Sequence, residues 1–138
     1  MIHRALDVGI NLVDTADIYS AGVSEDIVRR ALRDRCERVL LATKVHSRMG
    51  DGPNQRGSSR VPIVRAVEAN LRRLGTDWID LYISTCPTAD TPIDETLRAM
   101  GDLMRADKIR YIGTSNFKTL SHPPGEITDS EMHVEYRN

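Results

Sequence analysis

The sequence predicts an α/β protein in which parallel strands alternate with outer helices. Short aliphatic runs alternate with longer segments of helical spacing, and one strand–helix unit takes about 30 residues, as a crossover between parallel strands does. A third observation limits the size of the fold. The chain has 138 residues, whereas a complete (β/α)8 barrel needs roughly 250. Periodicity alone leaves a doubly wound sheet and a part of a barrel as alternatives.

Five short runs are predicted to be strands because they are aliphatic or β-branched and are bounded by turn residues. The run at 38–44 is continuously apolar, as expected for a strand that is buried on both faces. The last run, MHVEY, follows a segment rich in Pro and Gly. In chain order the predicted strands are residues 10–14, 38–44, 77–83, 109–113 and 132–136.

Four segments space their apolar residues as helices do. The helix at 24–34 begins with Ser24 as its N-cap and has Glu25 and Asp26 in its first turn, where the helix dipole favours them. Its buried face is formed by aliphatic residues: Ile27, Val28, Ala31 and Leu32. The third helix directs three arginines to solvent: Arg65, Arg72 and Arg73. The predicted helices are residues 2–8, 24–34, 61–73 and 92–106.

Composition excludes several function classes. Hydrophobic residues make up 40% and charged residues 28% of the chain, which is typical of a globular protein. Interleaved charges give a net charge of −1, which disfavours binding to nucleic acid or to an anionic membrane. No apolar run approaches the ~18 residues of a membrane span. Cys36 and Cys86 form no CxxC motif and no Cys/His cluster, so we expect no metal site and a reducing, cytoplasmic setting.

Polar residues follow the predicted strands, at the edge where parallel-sheet enzymes hold their sites. They are Asp14, Lys44, Thr85, Ser115 and Asn116. Tyr19 lies in the loop after Asp14. A lysine between a carboxylate and a phenol can serve an acid catalyst, because Asp14 would keep Lys44 charged and that charge would stabilise a phenolate. The alternative is that each of these residues only ends a strand or caps a turn.

Six segments carry a resemblance to a known family. They are GINLVDTADIY, GVSEDIVRRAL, LATKV, LRRLGTDWIDLY, TPIDETLRAM and KIRYIGTSNF. In this order they closely resemble the aldo-keto reductase superfamily, and MGDGPNQRG is similar to the branch that includes bacterial aldo/keto reductases and potassium-channel β-subunits. The resemblance implies one partial (β/α)8 TIM-barrel domain over residues 1–138, truncated at both ends, with about four to five βα units and a divergent tail at 118–138.

The resemblance also implies a function. Family members reduce aldehyde or ketone carbonyls to alcohols with NADPH, so the implied partner is a small carbonyl substrate. Tyr19 matches the proton-donating tyrosine, and Asp14 and Lys44 match the residues that tune it. Ser115 and Asn116 match the residues that hydrogen-bond the nicotinamide carboxamide.

Two positions depart from the family pattern. The strand that the family continues as DLYQIHRPD reads DLYISTCPT here, which puts Thr85 at the position of a catalytic histidine. Threonine is shorter than histidine and cannot exchange a proton near neutral pH. His46, two residues after Lys44, is an alternative acid. HVEY resembles the family's QVEY, with His133 in place of a glutamine that contacts the cofactor.

Three functional hypotheses therefore stay open. The first is an active NADPH-dependent reductase. The second is a nucleotide-binding or regulatory module without turnover, which Thr85 favours. The third is a degenerate, truncated paralogue, which the incomplete barrel favours. Because a partial barrel has exposed strand edges, the sequence also predicts self-association.

Overall fold

The computed structural model describes residues 1–45, 52, 57–85, 91–115 and 133–135. Within these ranges the chain forms one five-stranded sheet in the order β1-β2-β3-β4-β5. The strands are β1 (Leu12–Asp14), β2 (Leu40–Val45), β3 (Ile79–Ser84), β4 (Ile109–Thr114) and β5 (His133–Glu135). The helices are α1 (Ile2–Asp7), α2 (Val23–Leu32), α3 (Arg60–Leu74) and α4 (Ile93–Arg105), with short 3-10 turns at Tyr19–Gly22 and Cys36–Arg38.

The first four strands are parallel, and each pairs with its neighbour in the chain. Ala42 of β2 lies opposite Leu81 of β3, which in turn lies opposite Tyr111 of β4. Parallel crossovers are almost always right-handed, so an order without reversal places successive helices on the same face of the sheet. A doubly wound sheet reverses its strand order instead. The structure therefore confirms the partial barrel among the two predicted alternatives.

The two faces of the sheet differ in what covers them. One face carries Leu41, Val45, Tyr82 and Ile112, which form a single core with buried helical residues: Val28, Leu32, Ile63, Val67, Leu71, Ala99, Met100 and Leu103. Burying one such side chain contributes roughly 1.5–3 kcal/mol. The opposite face, here called the open face, leaves Leu12 50%, Leu40 49% and Tyr111 38% exposed. The core thus lies between the sheet and the helices.

The fifth strand departs from the predicted parallel order. β5 runs antiparallel to β4, with His133 opposite Thr114 and Glu135 opposite Ile112. A parallel neighbour requires a crossover, most often a helix, whereas an antiparallel neighbour does not.

The beginning of α2 also differs from the prediction. Gly22, at φ +93°, is the N-cap, and the helix begins at Val23. Ser24 therefore lies within the first turn, where its Oγ forms a hydrogen bond of 2.9 Å with Thr15 Oγ1. Ile27 is about half exposed rather than part of the buried face. The helix therefore begins one residue before the predicted range, and its buried residues are Glu25, Val28 and Leu32.

Candidate active site

The carboxyl ends of the four parallel strands bring together four predicted site residues: Asp14, Lys44, Thr85 and Ser115. Backbone hydrogen bonds continue the sheet past its last residues. The Thr85 N–H donates to Val45 O at 3.3 Å, and the Ser115 N–H donates to Ser84 O at 2.9 Å. The loops that carry these side chains are therefore held to their neighbouring strands.

Lys44 lies between a carboxylate and a phenol, as predicted. Its ammonium donates a hydrogen bond to Asp14 Oδ2 and a second, at 3.4 Å, to the Thr15 carbonyl. The ammonium nitrogen is also 5.9 Å from the centre of the Tyr19 ring. The side chain of Lys44 is 18% exposed and that of Asp14 48%. A partly desolvated cation thus faces both an anion and an aromatic ring, which attract it.

Tyr19 opens the 3-10 turn between β1 and α2. Its N–H donates to Ala16 O at 3.2 Å, and the residue is 48% exposed. The phenol is therefore within reach of a dissolved molecule. Ser20 and Ala21 follow at φ 51° and 53°, a conformation that costs a non-glycine residue roughly 1–2 kcal/mol. Such a turn persists only where its surroundings hold it.

Thr85 is buried, and its hydroxyl is engaged by the backbone. Thr85 Oγ1 donates to the carbonyl of Val45 at 3.0 Å. A threonine hydroxyl has one proton to donate, so in this arrangement that proton connects β3 to β2 next to Lys44. The structure thus places Thr85 at the predicted edge but in a role that differs from that of an acid.

The remaining predicted residues are described in part. Ser115 is half-buried directly after β4. His133 begins β5 opposite Thr114, one residue before Ser115. Asn116 lies outside the described residues, and so do His46 and Cys86.

A buried polar cluster under α2 escaped the sequence prediction. Glu25 is fully buried and accepts hydrogen bonds from Thr43 Oγ1 at 2.7 Å and from Arg73 Nε at 2.6 Å. Arg73 Nη2 donates to Asn70 Oδ1 at 2.9 Å. The prediction that Arg73 faces solvent is therefore wrong, whereas Glu25 lies in the first turn of α2 as predicted and has buried partners that the sequence did not predict. The ion pair explains both positions, because each charge compensates the other away from water.

One sequence signal could have located Glu25. It precedes Val28 by three residues and Leu32 by seven, which is the spacing of one helix face. A carboxylate in phase with buried aliphatic residues indicates a buried partner. Arg73 has no comparable signal, because its neighbours Arg65 and Arg72 are exposed as predicted.

Tyr82 of β3 belongs to the same cluster. Burial raises the pKa of its phenol well above the ordinary value, the charges of Asp17 and Glu25 raise it further, and Arg73 opposes them. Among the described residues, Tyr82 Oη has no hydrogen-bond partner. The phenol of Tyr82 is thus buried in its neutral form, and its hydroxyl forms no hydrogen bond with the described residues.

Two kinds of feature are absent from the part of the chain that the structure describes. There, no group of three or more His, Cys, Asp or Glu residues could hold a metal ion. Nor does any helix in these ranges combine the length and the apolar character that crossing a membrane requires.

Comparison of the sequence with known proteins finds relatives of one kind. The family model described as "Aldo/keto reductase family" matches residues 1–122. The aldo-keto reductase YhdN of Bacillus subtilis (strain 168) is 45% identical over 118 residues, which make up 84% of this chain and 36% of that protein. A probable voltage-gated potassium channel subunit beta of Oryza sativa subsp. japonica is 36% identical over 120 residues, 85% of this chain and 36% of that one.

Solved structures give the same result. Aldo-keto reductase AKR11C1 from Bacillus halodurans, in its holo form, has a TM-score of 0.76 and 43% identity, and the match covers 83% of this chain and 39% of that one. An aldo-keto reductase from Klebsiella pneumoniae in complex with NADPH has a TM-score of 0.75 and 36% identity, with 86% and 38% covered. The chain thus spans well under half the length of these relatives. Within that span, the motifs at the strand ends, the parallel strand order and the matches to sequences and structures agree, and the chain belongs to the aldo/keto reductase family.

Proposed function

We propose that this protein is an NADPH-dependent oxidoreductase that reduces aldehyde or ketone carbonyls to alcohols, with Tyr19 as the proton donor. The observation that carries the proposal is the position of the Lys44 ammonium, which is hydrogen-bonded to Asp14 and 5.9 Å from the Tyr19 ring centre. A cation beside the phenol can stabilise the negative charge that develops on its oxygen while the proton passes to a carbonyl oxygen, so Tyr19 is placed to be the donor. Asp14 orients the Lys44 ammonium through their hydrogen bond.

Among the described residues, Ser115 is suited to bind the nicotinamide of the cofactor. Ser115 presents a half-buried hydroxyl at the same edge of the sheet as Lys44, and a hydroxyl can both donate to and accept from a carboxamide. Asn116 and His133 are the further cofactor contacts that we propose on the basis of the motifs. When bound, NADPH supplies the hydride. The Klebsiella pneumoniae relative in complex with NADPH supports this choice of cofactor.

Thr85 favours a second candidate function, a nucleotide-binding or regulatory module without turnover. Its hydroxyl proton is donated to Val45 O, so this position supplies no proton to a substrate in the described arrangement. Of the two positions where the family pattern has an acid at this edge, Tyr19 and Thr85, only Tyr19 would then be able to donate a proton. The similarity to potassium channel beta subunits is compatible with such a module.

Tyr19→Phe tests the first candidate, because it removes only the phenolic oxygen and its proton. We expect aldehyde reduction to fall by about 10²-fold or more while NADPH binding, measured by fluorescence titration, is unchanged. Tyr111→Phe is the matched control, since Tyr111 is also partly exposed and lies on β4. Activity of Tyr19→Phe within tenfold of the wild type would show that Tyr19 is not the donor. If the wild type binds NADPH but does not reduce aldehydes, the second candidate is favoured. If the wild type neither binds NADPH nor reduces aldehydes, a degenerate paralogue is favoured.

We also propose that copies of the chain associate through the open face and the adjoining edge strand. β1 pairs only with β2 within the described residues, and apolar side chains of the open face are about half exposed. A cytoplasmic setting is proposed alongside. The half-buried thiol of Cys36 is free, as a reducing compartment would keep it.

A further inference from the structure

The turn that presents Tyr19 has a backbone that its own sequence does not favour. Ser20 and Ala21 lie in the left-handed region at φ 51° and 53°, and Gly22 follows at φ 93°. Of the three, only glycine adopts positive φ without steric cost. The internal hydrogen bond from the Ala21 N–H to Ile18 O measures 3.2 Å, at the long end of the usual range. Contacts outside the turn must therefore hold it.

Arg73 of α3 supplies such a contact. A Cβ built on Gly22 would lie 2.7 Å from Arg73 Cδ and 2.8 Å from Arg73 Nε, so the arginine side chain rests directly on the glycine backbone. The guanidinium is fixed in turn by Glu25 Oε2, at 2.6 Å, and by Asn70 Oδ1, at 2.9 Å. Because Glu25 is fully buried, moving Arg73 away would leave a carboxylate without its counter-charge. The side chain is therefore locked over the turn.

The same cluster reaches the strand that carries Lys44. Glu25 Oε1 accepts the hydroxyl proton of Thr43 at 2.7 Å, and Thr43 directly precedes Lys44 in β2. Next to it, the Asp17 N–H donates to the Lys44 carbonyl at 3.1 Å. Glu25 thus connects the two segments whose side chains, Tyr19 and Lys44, meet on the other side of the sheet.

We propose that Arg73 is a positioning residue for Tyr19. Its side chain contacts Gly22 and so holds the left-handed turn against α3. Its ion pair with Glu25, which also binds Thr43, fixes the position of the turn relative to β2. The phenol of Tyr19 therefore stays beside the Lys44 ammonium. The effect on catalysis rests on the proposed reductase function, whereas the hold on the turn does not.

Hydrogen exchange followed by mass spectrometry tests the hold on the turn. Arg73→Met keeps most of the stem and removes the guanidinium. We expect the peptide that covers Tyr19–Val23 to exchange at least tenfold faster than in the wild type, while the peptide that covers Ile109–Thr114 changes less than twofold. Arg72→Met is the matched control, because Arg72 is an exposed neighbour on the same helix, and it should leave both peptides unchanged. An equal acceleration of both peptides in Arg73→Met would show that Arg73 only stabilises the whole fold, and would overturn the proposal.

A second pair of variants keeps the test decisive if Arg73→Met fails to fold. Glu25→Gln combined with Arg73→Met removes both buried charges, and the turn should still exchange at least tenfold faster. Arg73→Lys keeps the charge and the aliphatic stem, and it should bring exchange at the turn to within threefold of the wild type. Unchanged exchange at the turn in the double variant would contradict the proposal.

Steady-state kinetics separate this inference from the proposed function. Arg73→Met should lower kcat for aldehyde reduction at least tenfold with little change in NADPH affinity, because it misplaces the proton donor and not the cofactor. Arg73→Lys should recover most of kcat. If the wild type shows no reduction while the exchange result holds, the positioning role stands and the proposed function fails. If reduction is present and kcat of Arg73→Met is unchanged, the positioning role fails alone.

Discussion

At the scale of single residues, Thr85 has a structural role where the family pattern has an acid. Its hydroxyl donates to Val45 O at 3.0 Å, and its own N–H also points to that carbonyl. The residue therefore holds the end of β3 to β2 directly beside Lys44. A neutral hydrogen bond of this kind contributes about 1 kcal/mol to folding, whereas a well-placed acid contributes to the rate.

Thr85→His should lower the stability of the protein and raise its rate of aldehyde reduction. If position 85 faces the substrate carbonyl, we expect aldehyde reduction to rise, with 10²–10⁴-fold as the usual range for an acid–base group, and the free energy of unfolding to fall by about 1 kcal/mol. Steady-state kinetics and urea unfolding measure the two effects. Thr85→Val is the control, which should lose similar stability and gain no rate. An unchanged rate in a folded Thr85→His variant that binds NADPH would mean that position 85 does not face the carbonyl.

At the scale of elements, the buried polar cluster lies where β2 and β3 meet α2 and α3. Three of its members are satisfied by one another, since Glu25 accepts from Thr43 and Arg73. Tyr82 on β3 differs, because its hydroxyl has no hydrogen-bond partner among the described residues. Burying a polar group without a partner costs roughly 1–3 kcal/mol. Burial of the aromatic ring of Tyr82 stabilises the fold, whereas burial of its unpaired hydroxyl destabilises it.

Tyr82→Phe should therefore stabilise the protein at neutral pH, by about 1 kcal/mol. Burial, with the charges of Asp17 and Glu25, raises the pKa of the folded phenol well above 10.0, whereas the unfolded phenol ionises near 10. The unfolded state then holds fewer protons at high pH, so the unfolding free energy of the wild type should fall as pH rises above about 10.

Tyr82→Phe should flatten that decline, and Tyr111→Phe, at a partly exposed position, should not. Urea unfolding between pH 7 and 11 measures the difference. Equal slopes for the wild type and Tyr82→Phe would show that the buried phenol does not control stability at high pH.

At the scale of the whole molecule, the open face is the feature that predicts association. Leu12 and Leu40 lie opposite each other in register, so their exposed side chains form one continuous apolar surface. Leu40→Lys should place a charge in it and shift the chain to a monomer in light scattering at micromolar concentration. Leu97→Lys, on the outer side of α4, is the control and should leave association unchanged. A wild-type chain that is monodisperse and monomeric, with a sharp unfolding transition, would contradict the prediction.

The parts of this molecule that sequence could predict share a physical cause. Strands and helices repeat with the period of their buried residues, so the boundaries of β2, α3 and β4 agree with the prediction to within two residues. The proximity of Asp14 and Lys44 could be predicted because the carboxyl ends of parallel strands meet at one edge. The contacts of Arg73 could not be predicted, because helical phase shows which residues share a face of α3 but not which residue of another helix pairs with an arginine. The direction of β5 could not be predicted either, because the alternation of apolar and polar residues along a strand does not show whether the neighbouring strand is parallel or antiparallel.

The sequential strand order also determines how this chain can acquire its structure. Each parallel strand pairs with the strand made just before it, so no parallel pairing requires a loop longer than one crossover to close. The residues that pair are about 30 to 40 positions apart, as Leu12 and Leu40 or Ala42 and Leu81 are, and the entropy cost of closing such a loop rises only slowly with its length. A nascent chain can therefore add β2, β3 and β4 to the growing sheet in the order in which the ribosome releases them. The order of synthesis thus matches the order in which neighbouring parallel strands are paired.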